Sequence, residues 1–250
     1  MANPVAAWLG DRIPISGQSV RELTNEPVPY HLKRWWFALG GTPAYLFLVQ
    51  IFTGILLAFY SEASPATAYE SVAYITNEVA FGWYIRSLHK WAATLMIAAV
   101  ILHQMRVFFT GAYRRPREIN WIVGMCLLVC TLMTGFTGYS LVFEQLSFWG
   151  ATVGANIADS TPFVGGFLKA MMLGGETYNQ ATLSRFFVIH AAILPVTITL
   201  LVVVHITIIR LQGVTEFKFE DEGSGAEKSF NFFPDLLYTE LLIGLVLMVL

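Results

Sequence analysis

The sequence predicts an all-α protein that crosses a membrane repeatedly, a four-helix bundle followed by the start of a fifth transmembrane helix. Three observations carry that prediction. Of the 250 residues 56% are hydrophobic and only 13% charged, where a soluble domain carries about 25% charged residues. Mean hydropathy is +0.59. Four apolar stretches reach the roughly 20 residues that a helix needs to cross a bilayer. The 14% aromatic content argues against disorder. Two cysteines are too few for a disulfide scaffold. A net charge of −2 without a basic run excludes a nucleic-acid partner.

Residues 1–36 form a polar, proline-bearing segment with no apolar signal-peptide core. The bundle occupies 37–213, with spans at about Phe37–Tyr60, Leu88–Phe109, Trp121–Phe143 and Phe186–Ile209. An acidic linker, 214–235, follows. The fifth apolar stretch, 236–250, contains Glu240 and rises only about 22 Å at 1.5 Å per residue, short of a 30 Å core. The expectation is that another chain or a further segment completes this layer. Eleven of the fifteen Lys and Arg residues fall on the side that carries residues 1–37 and the loop after the second span. That asymmetry predicts an N-terminus in the cytoplasm or its topological equivalent.

Four of the five histidines lie inside spans: His89 and His103 in the second, His190 and His205 in the fourth. Their separations of 14 and 15 residues are close to four helical turns, so each pair stays on one half of its helix. The second and fourth spans run parallel, which sets His89 at the depth of His190 and His103 at the depth of His205. Two facing imidazoles at each of two depths suit bis-histidine ligation of two stacked haems inside the bundle. The rival readings are helix–helix hydrogen bonding and proton relay, while zinc needs ligands clustered within a few ångströms.

Glycines point the same way. Gly40 and Gly54 in the first span, and Gly124 and Gly138 in the third, are each 14 residues apart. Glycine lets a backbone approach a flat macrocycle closely. Arg86 and Lys90 beside the outer pair, and Arg106, Arg114 and Arg210 beside the inner one, are expected to meet haem propionates. Their alternative role is anchoring at the positively charged face. Cys126 and Cys130, one turn apart, read as packing. Pro195 is expected to kink the fourth span.

The runs FGWYIRSLHKW, ILHQMRVFFTGAYRRPREINWIVG, TGFTGYSL, QLSFWGATVG and TLSRFFVIHAAILP resemble the N-terminal, dihaem half of cytochrome b from cytochrome bc complexes, over roughly residues 30–213. The resemblance implies that His89 and His190 ligate a low-potential haem near the outer face and that His103 and His205 ligate a high-potential haem near the cytoplasmic face. The unequal histidine spacing, 14 against 15, is similar to the four-helix photosynthetic-type subclass and its bacterial relatives. The run FPDLLY at 233–238 resembles the start of that subclass's separate small subunit.

Three departures from the family pattern bear on function. Ala38 stands where the photosynthetic pattern has a cysteine that tethers an extra haem, so no thioether-linked haem is expected. Val142-Phe143 replaces a Pro-Trp pair, with Glu144-Gln145 following in register. The Pro-Glu-Trp-Tyr motif of the quinol-oxidation site is absent and is expected from a second cytochrome b-type subunit.

The resemblance thus implies a quinol:cytochrome c, or plastocyanin-like, oxidoreductase subunit running a Q-cycle coupled to proton translocation. Its implied partners are a Rieske iron–sulfur protein, a c-type cytochrome, quinone and a second copy of the chain, in a bacterial plasma membrane. Glu144, Phe148 and Gly150 are expected to wall the quinol-oxidation site, the glycine letting a quinone head slide against backbone. Gly150 also implies sensitivity to methoxyacrylate-type inhibitors. His31, Arg210, Asp235 and Glu240 are candidates for a cytoplasmic quinone-reduction site. The alternatives are a dihaem membrane anchor of a formate- or hydrogenase-type dehydrogenase and a histidine-using transporter.

Overall fold

The computed structural model describes residues 4–13, 27–29, 39–215, 229–231, 238, 241–242 and 244–246. His31, Ala38, Asp235 and Glu240 lie outside the described residues. The elements in chain order are α1 (Pro4–Arg12), β1 (Pro27–Pro29), α2 (Gly41–Ala58), α3 (Ala68–Asn77), α4 (Gly82–Phe109), α5 (Glu118–Ser140), α6 (Gln145–Asp159), α7 (Gly165–Leu173) and α8 (Gln180–Val188). A π-helical segment, Ile189–Ile193, leads into α9 (Leu194–Gln212), and β2 (Ser229–Asn231) pairs antiparallel with β1. That three-residue ladder is the one departure from the all-α expectation among the described residues.

Four helical stretches are long and apolar enough to cross a bilayer: Gly41–Ala58, Gly82–Phe109, Glu118–Ser140 and Gln180–Gln212. They correspond to the four expected spans, with several ends moved outward. The second begins at Gly82 rather than near Leu88, because Arg86 and His89 continue the helix that hydropathy alone cuts short. Most side chains along these helices remain uncovered by protein, Phe52, Val129, Leu200 and Val203 among them. In a lipid solvent such faces need no protein cover, while backbone groups must be satisfied within the helix.

The fourth span is irregular where Pro195 predicts a kink. Proline at 195 has no N–H to donate and its ring crowds the carbonyl of residue 191. The chain widens into a π turn over the five residues Ile189–Ile193 immediately before it. A π turn takes up one residue more than an α turn, which accounts for the extra residue in the His190–His205 interval.

Contacts divide the chain into two compact units, and each contains part of every long helix. One comprises Met1–Phe47, Leu95–Leu128 and Leu200–Leu250; the other Leu48–Thr94 and Val129–Thr199.

In the first unit α1 is held by a polar network. Arg12 is 5% exposed and donates to Glu118 at 2.8 Å and to the Trp8 carbonyl at 3.1 Å, with its guanidinium 4.2 Å from the Trp8 ring. Gln212, at the end of α9, donates to the carbonyls of Arg12 and Pro116. Arg117 donates to the Gly213 carbonyl at 3.3 Å. Helix α4 ends here: Thr110 bonds back to Arg106, and Gly111 takes the left-handed conformation that closes a helix.

In the second unit the core gathers Ala68, Ala151, Ala155, Leu173, Tyr178, Leu183 and Phe186. Helices α6 and α7 pack as a hairpin, and α7 ends at Gly174 with φ 68°. Asn179 caps α8: its side chain accepts from the Ala181 amide at 2.8 Å, and the Thr182 hydroxyl accepts from the Asn179 amide at 3.1 Å. The Tyr178 hydroxyl donates to the Ser140 carbonyl, tying this loop to the end of α5.

Candidate functional site

Each unit brings one histidine pair together. In the second unit the rings of His89 (α4) and His190 (π segment) face each other with centroids 6.3 Å apart at 72°. In the first, His103 (α4) and His205 (α9) lie 6.5 Å apart at 77°. A metal–imidazole bond of about 2.0–2.1 Å, with about 1.2 Å from nitrogen to ring centre on each side, sets the centroids of two axial imidazoles about 6.4 Å apart. Both pairs match that centroid separation.

The glycines stand where the 14-residue spacing placed them. A Cβ built on Gly54 would lie 3.3 Å from Cε1 of His89, and one on Gly138 would overlap the His190 ring. In the first unit, Cβ atoms on Gly40 and Gly124 would lie 3.5 Å from Cε1 of His103 and His205. Each imidazole thus has one glycine backbone against its edge.

The outer nitrogens of the rings are handled differently in the two units. Nδ1 of His89 is 2.8 Å from Thr53 Oγ1, and Gln50 donates to the His89 carbonyl at 2.7 Å. Nδ1 of His190 is 3.0 Å from the Thr134 carbonyl and 3.3 Å from Thr137 Oγ1. In the first unit Nδ1 of His103 has the Arg106 guanidinium at 3.5 Å. Nδ1 of His205 is buried and turned to the Asn120 backbone. The histidine spacing does not mark Thr53, Gln50, Thr134 or Thr137. A signal for two of them was present, since Thr53 and Thr137 immediately precede the paired glycines Gly54 and Gly138.

Among the expected basic residues, Arg106 reaches its histidine, Arg86 is half-buried one turn before His89, and Arg210 is 8% exposed in the last turn of α9. Arg114 is exposed and lies over Gly111. Phe148–Val153, whose sequence reads as a short amphipathic helix, lies within the longer α6, Gln145–Asp159. Glu144 precedes it, its amide and carbonyl both bonded to Ser147 Oγ at 2.8 and 2.9 Å. Phe148 packs on Phe143 and Tyr178 at centroid distances of 6.1 and 5.7 Å. A Cβ on Gly150 would meet Tyr139 at 3.7 Å, an ordinary contact; the close approach in α6 occurs at Gly154, where a Cβ would lie 2.8 Å from the Phe136 ring.

These residues fit a b-type haem. Among the described residues no three His, Cys, Asp or Glu side chains gather around a point where a bare ion could sit. A pair of imidazoles alone suits an iron that brings four equatorial nitrogens of its own, with axial histidines as the protein's share. The glycines supply clearance for a planar ring.

Comparison with known proteins points the same way. Residues 23–213 match the family model described as Cytochrome b/b6/petB. The chain is 47% identical over 209 residues to cytochrome b6 of Heliomicrobium gestii, covering 84% of this chain and 98% of that protein. It is 40% identical over 213 residues to cytochrome b6 of Synechococcus elongatus, covering 85% and 98%. With cytochrome b6 of Chlamydomonas reinhardtii it shares 38% over 208 residues, covering 83% and 96%. A solved structure titled Hyperthermophilic respiratory Complex III superposes with a TM-score of 0.80 at 28% identity over 98% of this chain. The chain spans 65% of that neighbour's length. A family match over most of the sequence, joined by relatives aligned along nearly their whole length, makes this chain a member of the cytochrome b/b6 family: an integral-membrane electron-transfer protein that binds b-type haem.

Proposed function

We propose that this chain is the cytochrome b subunit of a quinol:cytochrome c, or plastocyanin-like, oxidoreductase, and that it carries electrons across a bacterial plasma membrane in a Q-cycle coupled to proton translocation. The observation that carries the reading is the pair of facing imidazoles in each unit, at centroid distances of 6.3 and 6.5 Å, with a glycine against every ring. Two non-covalent b haems per chain follow, one between His89 and His190 towards the outer face and one between His103 and His205 towards the cytoplasm. Bound haem supplies reversible one-electron storage at each position. The protein's own share would be to hold each haem between the two imidazoles of a pair, to clear a planar slot with Gly40, Gly54, Gly124 and Gly138, and to offer cations to the propionates from Arg86, Arg106, Arg114 and Arg210. No thioether-linked third haem is expected, because position 38 is alanine.

Quinol is oxidised on the outer side against a wall to which Glu144, Phe148 and Gly150 contribute. Its protons leave there, and its two electrons divide between a Rieske iron–sulfur partner and this chain. The chain returns its share to quinone on the cytoplasmic side. Arg210 sits at that end of α9, and His31, Asp235 and Glu240 are the further candidate contacts. The Pro-Glu-Trp-Tyr segment comes from a second cytochrome b-type subunit, a c-type cytochrome takes electrons from the Rieske protein, and two copies of the chain assemble as a homodimer. The complex purified from membranes should show a b-type reduced-minus-oxidised spectrum and two extractable haems per chain by pyridine haemochrome. A His89→Ala, His190→Ala double variant should lose one of them. No b-type signal in the wild-type protein, or full haem content in that variant, would sink the proposal.

A further inference from the structure

The hydrogen-bond chain behind His89 and His190 determines which ring nitrogen of each carries the proton. Thr53 Oγ1 is fully buried and donates its single hydrogen to the Val49 carbonyl at 2.7 Å. The remaining contact of that oxygen, 2.8 Å to Nδ1 of His89, must then be supplied with a hydrogen by the imidazole. His190 is constrained in the same sense: the Thr134 carbonyl at 3.0 Å can only accept, and Thr137 Oγ1 spends its hydrogen on the Met133 carbonyl at 2.8 Å. Both rings are therefore Nδ1–H tautomers, with the lone pair on Nε2.

The other pair is arranged differently. Nδ1 of His103 faces the Arg106 guanidinium, a group with donors only, while Nδ1 of His205 is turned to the Asn120 backbone. A cation next to His103 makes that imidazole a weaker electron donor than His89, which gives its Nδ1 hydrogen to an oxygen.

Resting on the haem reading above, we propose that Thr53 is a positioning residue for the haem held by His89 and His190. Its buried hydroxyl, acting with the Thr134 carbonyl, locks both imidazoles in the ligand-ready tautomer. By accepting from Nδ1–H it increases electron donation to the ferric iron and holds that haem at the lower potential of the two. Gln50 ties α2 to the main chain of the same residue by donating to the His89 carbonyl.

The test is a redox titration with low-temperature EPR on the complex purified from membranes, comparing wild type with Thr53→Val and Thr53→Ser. Valine keeps the shape and loses the hydroxyl; serine keeps the hydroxyl and loses the methyl. The expected result for Thr53→Val is two haems per chain, a shift of the low-potential haem to higher potential with an altered ferric low-spin signal, and no change at the other haem. Thr53→Ser should match wild type. Loss of one haem in Thr53→Val with full content in Thr53→Ser would also support the role. An unchanged potential and EPR signal in Thr53→Val, or equal effects of both substitutions, overturns it. Absence of b-type haem from the wild-type complex would instead overturn the haem reading itself.

Discussion

Gly138 and His190 lie so close that no side chain fits between them. A Cβ on Gly138 would overlap Cε1 of the ring and stand 3.0 and 3.1 Å from its two nitrogens. The other three glycine–histidine pairs are looser, at 3.3 Å for Gly54 and 3.5 Å for Gly40 and Gly124. Overpacking at a tight position costs about 1–3 kcal/mol. Gly138→Ala should therefore cost the most haem, Gly54→Ala less, and Gly40→Ala and Gly124→Ala least. Haem extracted per chain from each variant measures the order, and equal losses at all four would refute it.

Arg12 is almost fully buried against Glu118, 106 positions away in the chain, and against the Trp8 ring. Arg12→Ala removes the ion pair, the ring contact and a helix C-terminal cation at once. The expected outcome is release of α1 with the four spans intact: faster proteolytic cleavage ahead of the first span, at unchanged haem content. Cleavage at the wild-type rate would show that Arg12 does not hold α1 in place.

The spans and the histidine–glycine geometry were legible in the sequence because the bilayer imposes both. Lipid demands about 20 apolar residues per crossing, so each charged or imidazole residue inside a span stands out. A helix repeat close to 14 residues per four turns converts spacing directly into depth. The partners of the ring nitrogens were not legible. Whether Thr53 meets His89 depends on which faces of α2 and α4 abut, and hydroxyls in membrane helices ordinarily bond their own backbone, as Thr53 also does with Val49. Pro195 marked the irregular turn, but the π segment arises from how the chain rearranges before the proline. Gly150 and Gly154 look alike in sequence; only the Phe136 ring distinguishes them.

Burial pushes the Tyr178 phenol upward from its ordinary pKa of 10.0. Its hydroxyl donates to the Ser140 carbonyl, which requires the protonated form. Because the folded value is raised, this contribution is complete below the unfolded pKa of about 10 and is lost as pH rises from there through the folded value. Thermal denaturation of the wild-type complex should weaken above about pH 10 more than that of Tyr178→Phe. The variant should also be less stable by about 1–3 kcal/mol at neutral pH, since the Ser140 carbonyl loses its donor. Parallel pH profiles for the two proteins would exclude the contribution.

The two glycines of α6 separate helix packing from the proposed wall of the quinol-oxidation site. Gly154 lets α6 lie against Phe136 of α5, with 2.8 Å between a would-be Cβ and the ring, whereas the nearest atom to a Cβ on Gly150 is 3.7 Å away on Tyr139. Gly154→Ala should push the helix off α5 and displace Phe148 from Phe143 and Tyr178, so quinol oxidation falls together with thermal stability. Gly150→Ala fits without rearrangement and should leave stability unchanged. If a quinone head slides against the backbone at 150, the added methyl instead raises the KM for quinol and weakens methoxyacrylate-type inhibition. Steady-state kinetics and inhibitor titration beside melting curves give the comparison. A Gly150→Ala complex with wild-type KM and inhibitor sensitivity would remove that residue from the site wall, leaving α6 a packing helix at that turn.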